Sequence, residues 1–237
     1  MSEPFQIPSA LEICEKFPCK PEVKALAAEY PKPSEFISAL QQENMSVDAV
    51  QALARSMPKD KAAEWASESA KMAGEQTGLS PEEQNALEAT DAWIANPDAA
   101  NSAAAAGAAA NLPAESPAGW AANGAAFADG VEVPEEATIP EAGDDLTSHF
   151  SASSVMLSAA KMSPEGIPEP EMPEMPEMPA LNADIPTDDL VAESLDQLME
   201  TPETPEMTPK EQAQAAKFLD PFIDLGIKLA QTVPGWL

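Results

Sequence analysis

Chemistry near neutral pH needs an imidazole, a thiolate, a metal ion or two carboxylates held close together. This chain of 237 residues has one histidine, His149, and two cysteines, Cys14 and Cys19. An imidazole acts as a general base only on a nucleophile aligned with it. His149 sits beside Phe150 in a serine-rich stretch, yet the sequence holds no Gly-x-Ser-x-Gly elbow, no phosphate-binding loop and no Gly-x-Gly-x-x-Gly turn. It reads as a surface or hydrogen-bond-satisfied side chain. One histidine and two cysteines five positions apart fall short of a structural zinc set. The cysteines read as a reduced, partly buried pair, with a local bridge or redox pair as the competing reading. Calcium needs alternating oxygen ligands around a glycine, and Glu141-Ala142-Gly143-Asp144-Asp145 lacks that alternation.

Carboxylates are the one abundant group, 41 Asp and Glu against 12 Lys and Arg. An acid-pair hydrolase is a third reading that this count leaves open. Nearly all of the acids fall in caps, loops or a tether, however, and the aromatics that usually line a sugar cleft make up only 5% of the chain. The expectation is a protein that is not an enzyme, with no catalytic, cofactor-binding or metal-binding residue and no cofactor.

The formal net charge of −29 repels phosphate backbones and anionic headgroups, which argues against nucleic acid and membrane surfaces and favours basic partners. Met1-Ser2-Glu3-Pro4 carries neither the basic region nor the apolar stretch of a signal peptide. No apolar run approaches the roughly 20 residues that span a bilayer. The expected location is cytoplasmic, with no membrane span.

The elements that would position these groups read as helices. The fold expected is all-α: an array or bundle of short helices, with an acidic Pro/Glu/Met-rich disordered insertion before the C-terminal helix. Residues 1–161 form an Ala-rich helical domain, 162–207 the acidic linker, and 208–237 a C-terminal helix that docks on the domain. Ser9, Pro21, Ser34, Ser46, Lys59, Ser80-Pro81, Asp98 and Ser116-Pro117 mark successive helix starts. Gly74 or Gly78 ends the helix from Lys59, and Leu146 to Lys161 forms another. Alanine favours helix but buries little area, so a thin core is expected, anchored by Trp65, Trp93, Trp120 and Trp236. Pro221 should kink or restart the last helix.

Residues 162–209 carry ten prolines, thirteen acids and no Lys or Arg, with a Pro-Glu-Met repeat from Pro170 to Pro179. Such a run favours extended chain and forms no packed core. One interruption, Asp188 to Met199, sets Leu190, Val191, Leu195, Leu198 and Met199 at helical spacing. This acidic amphipathic segment suits insertion into the basic or apolar groove of another protein. Phe218, Phe222, Ile223 and Trp236 on the terminal helix are the other partner-binding candidates; alternatively they complete the domain's own core.

Three blocks carry a resemblance. They are Ala49-Val50-Gln51-Ala52-Leu53-Ala54-Arg55-Ser56-Met57-Pro58-Lys59-Asp60-Lys61-Ala62-Ala63-Glu64-Trp65-Ala66, the stretch from Ala86 to Pro97 with Trp93, and Pro117-Ala118-Gly119-Trp120-Ala121-Ala122. Together, over residues 12–160, they resemble an uncharacterised bacterial family of small all-helical proteins. The resemblance implies that residues 210–230 belong to the domain and that the tether is an insertion. It also implies a setting among type VI secretion accessory proteins, hence an adaptor or chaperone for a secreted spike or effector. The alternative is a scaffold subunit that self-associates through the small residues of 98–127.

Overall fold

The computed structural model describes residues 5–128, 146–163 and 209–237. These residues form ten helices and no strand. In chain order they are α1 (Ala10–Cys14), α2 (Pro21–Glu29), α3 (Pro33–Gln42), α4 (Ser46–Arg55), α5 (Lys59–Thr77), α6 (Pro81–Ala95), α7 (Ala99–Ala109), α8 (Pro117–Ala126), α9 (Leu146–Met162) and α10 (Pro209–Ala230). The all-α expectation holds. The tether, apart from Met162 and Ser163, lies outside the described residues, as does the segment 188–199.

Helix starts follow side-chain chemistry. Ser9 accepts the Glu12 N–H while Glu12 accepts the Ser9 N–H at 2.7 Å, a reciprocal capping box that opens α1. Ser80 and Glu83 make the same box at α6, where Pro81 fills a first-turn position whose N–H would be unsatisfied anyway. Asp98 caps α7 and Ser116 caps α8.

Two starts differ from expectation. At α3 the cap position is Lys32, because Pro33 takes the first helical position and pushes Ser34 inside. At α4 Ser46 is itself the first helical residue, and its hydroxyl bonds Asp220 of α10 at 3.5 Å instead of capping its own helix. Of the two candidate terminators of α5, Gly78 ends it, with φ at 82°, in the left-handed region. Gly74 stays helical beneath the side chain of Leu79, which lies where a Cβ would stand. Pro221 does not restart α10, which is one element throughout. Its ring has no N–H to offer the Lys217 carbonyl four residues back, and Lys217 and Pro221 are both exposed.

Two buried clusters meet at α5. The first holds the large side chains, among them Phe36, Ile37, Leu53, Trp65, Phe222 and Trp236. The second is built almost wholly from alanines of α5, α6, α7 and α8, with Leu87 and Trp93. The thin alanine core expected from composition therefore describes only the second. Each fully buried large side chain contributes about 1.5–3 kcal/mol, so the first cluster carries most of the hydrophobic stabilisation. Trp120 is not an anchor; it stays half-buried at the edge of α8, with its indole N–H donated to the Ala114 carbonyl.

Candidate functional site

The most developed surface in the structure is the channel that α10 fills. Its walls come from α4, α5 and α9. Leu219, Phe222, Ile223, Gly226 and Ala230 recur every three or four residues on α10, and all are buried. The indole N–H of Trp65 donates to the Phe222 carbonyl oxygen at 2.8 Å inside the core. Gly226 makes that approach possible. A Cβ there would stand 2.7 Å from Trp65 Cε2 and 2.7 Å from Leu53 Cδ2, closer than carbon atoms pack. Beyond the helix, Trp236 is 2% exposed and its indole N–H donates to the Ser56 hydroxyl.

These contacts locate four of the sequence candidates. Phe222, Ile223 and Trp236 lie in the first buried cluster, and Phe218 is half-buried against it. Leu190, Val191, Leu195, Leu198 and Met199 lie outside the described residues.

The chemistry-bearing residues are dispersed. His149 is half-buried, its ring edge-on to Trp120 and Phe150. Cys14, the last residue of α1, is buried, and its thiol is within hydrogen-bonding contact of Cys19. Burial pushes both thiols up, and the mutual contact pushes Cys19 further. Arg55 holds the intervening loop: its guanidinium donates to the Lys16 carbonyl at 3.2 Å and lies over the Phe17 ring. Burial also raises Asp48, against the pull of Lys20. Among the described residues no three His, Cys, Asp or Glu side chains are grouped to hold a metal ion. Nor is any helix among them long and apolar enough to cross a membrane.

Sequence reasoning missed two arrangements. Glu83 joins three helices: besides the box with Ser80, it accepts from Ser116 at the start of α8 and from Lys161 near the end of α9, at 3.0 and 2.9 Å. Burial opposes its charge, yet these hydrogen bonds outweigh burial and bring its carboxyl below the usual range. The second is on α9, whose inward face is largely hydroxyl. Ser154 donates to the Pro117 carbonyl at 2.8 Å and Ser158 to the Ser154 carbonyl, while Ser151 faces Gly124 of α8. Small residues on both helices allow close contact. The spacing 147, 148, 151, 154, 158 was the available signal, hidden because serine counts as polar.

The profile of DUF6931, a family of unknown function, matches residues 36–171, more than half of the chain. The chain belongs to this family. The three sequence blocks fall inside the DUF6931 match and supply α4–α5, α6 and α8. Within the match, α4 and α5 contribute Leu53 and Trp65 to the channel, whereas α1, α2 and α10 lie outside it. No curated protein and no solved structure matches this DUF6931 chain.

Proposed function

We propose that this DUF6931 protein is a non-enzymatic, cytoplasmic adaptor or chaperone that binds another protein through the acidic segment between α9 and α10. The observation that carries this reading is the return of α10 onto α9 and α5. Both ends of the acidic stretch are thereby held by one body. Leu190, Val191, Leu195, Leu198 and Met199 fall in sequence between those two ends, so a partner that engages them is tethered to the domain. Thirteen acids without a Lys or Arg favour a basic partner. The sequence resemblance adds a bacterial setting and a spike or effector of a type VI secretion system as the client.

Cross-linking capture with the full chain at low salt tests this. The expected result is a protein partner whose recovery falls with rising salt and with the triple change Leu190→Asp, Leu195→Asp, Leu198→Asp. Equal recovery by the triple variant would remove the segment from the binding site.

A scaffold role is favoured by one feature of α7. Its outward residues Ala99, Ala100, Ala103, Ala104, Ala106 and Gly107 are all exposed and uncharged. Sedimentation of a monomer at high concentration would end that reading.

A further inference from the structure

The channel around α10 reads a helix by its backbone as well as by its side chains. Trp65 presents a buried indole N–H, which requires an acceptor, and the acceptor is a main-chain carbonyl that any α-helix owns. What makes the carbonyl reachable is the missing side chain one turn later, at Gly226. The buried large apolar side chains of α10 are Leu219, Phe222 and Ile223. The code is therefore simple: three large apolar residues at i, i+3 and i+4, and glycine at i+7.

The walls and the occupant also fall on different sides of the family match. α4, α5 and α9 lie inside the DUF6931 match, and α10 lies outside it. Forty-five residues separate Ser163 from Pro209. At about 3.3–3.6 Å per residue such a length of chain spans up to roughly 150 Å, so α10 can leave the channel without dragging α9 from its place.

We propose that this channel is a helix receptor and that α10 is its resident occupant, displaced by a partner protein presenting an amphipathic helix with the same apolar-glycine code. The site is separate from the segment 188–199, so it stands or falls independently of the function proposed above. A tethered occupant competes at an effective concentration on the order of millimolar, so exchange is weak until α10 is loosened.

The test uses the full-length protein and a fluorescent peptide of residues 214–237. In the chain, Ile223→Asp weakens the resident helix without altering any residue of α4, α5 or α9. This variant should bind the wild-type peptide at least tenfold more tightly than the unaltered protein does, and should not bind a peptide carrying Gly226→Leu. A helical Ile223→Asp protein that takes up no peptide, or takes up both peptides equally, overturns the proposal.

A second variant decides if Ile223→Asp loses its helical signal. Ser46→Cys with Asp220→Cys places a thiol pair where the two native side chains meet, locking α10 when oxidised. At millimolar peptide, uptake by the reduced form and none by the oxidised form upholds the receptor. Equal uptake in both states, or none in either, refutes it.

Discussion

Trp65 and Phe222 are 157 positions apart in sequence and joined by one hydrogen bond, indole N–H to main-chain carbonyl, with both residues fully buried. The bond ties α10 to the centre of the domain. Trp65→Phe removes the donor and part of the ring. The loss should be about 2–4 kcal/mol, combining a hydrogen bond near 1 kcal/mol with a cavity term. Urea denaturation reads it as a lower midpoint at unchanged slope. A midpoint within error of wild type would mean the bond contributes nothing.

Glu83 sets an acid limit. Its folded-state pKa lies below the ordinary glutamate value, so its contribution is complete above that ordinary value and is lost as pH falls through the depressed one. Glu83→Gln should cost about 1–3 kcal/mol at pH 7 and flatten the acid limb of the stability profile. Pairing it with Lys161→Met in a double-mutant cycle should return a coupling near 1 kcal/mol. A zero coupling would show that the 2.9 Å contact is only proximity.

Asp48 has the opposite sign. Burial raises its folded-state pKa, so the folded protein holds the proton more tightly than the unfolded chain does. Stability is therefore lost as pH rises from the ordinary aspartate value through the raised one, and the penalty is complete above it. Asp48→Asn should stabilise the protein at pH 7, by less than about 1 kcal/mol because solvent screens the site. The gain should vanish in acid below the ordinary aspartate range. Thermal melts at pH 7 and at about pH 2.5 separate the two; a destabilised variant at pH 7 would reverse the assignment.

Both thiols are pushed up by burial, which keeps them protonated and unreactive in the folded protein. Iodoacetamide at pH 8 should alkylate Cys14 and Cys19 at least tenfold more slowly in the native protein than in urea. Mass spectrometry resolves the two sites. Native labelling at the denatured rate would show the pair to be open.

Local signals made much of this fold legible. Ser80, Pro81 and Glu83 announce α6 because a capping box is complete within four residues. Trp65 and Trp236 are recognisable as anchors because large aromatics bury wherever they can. Contacts across the chain were not legible. Ser46 resembles a cap until its hydroxyl is found on Asp220, and Gly226 looks like a helix weakness until Trp65 is seen above it. The buried serines of α9 escape a hydrophobicity reading because they sit inside on account of their size, with the hydroxyls of Ser154 and Ser158 satisfied by backbone carbonyls while that of Ser151 finds no partner among the described residues. Segment 188–199, the candidate binding element most legible in sequence, falls outside the described residues.

α5 stands between the two buried clusters, turning Ala62 and Trp65 toward one and Ala63, Ala66 and Ala70 toward the other. A helix clothed on both sides by different cores makes each core part of the other's solvent barrier. Melting either one wets a full face of α5 and removes the support beneath its neighbour. The alanine half, too poor in apolar area to persist alone, borrows its persistence from the aromatic half through α5, with α9 packed on both α5 and α8 beside it. The amides of α5 should then exchange with deuterium only through global opening, and both halves should be lost in one transition.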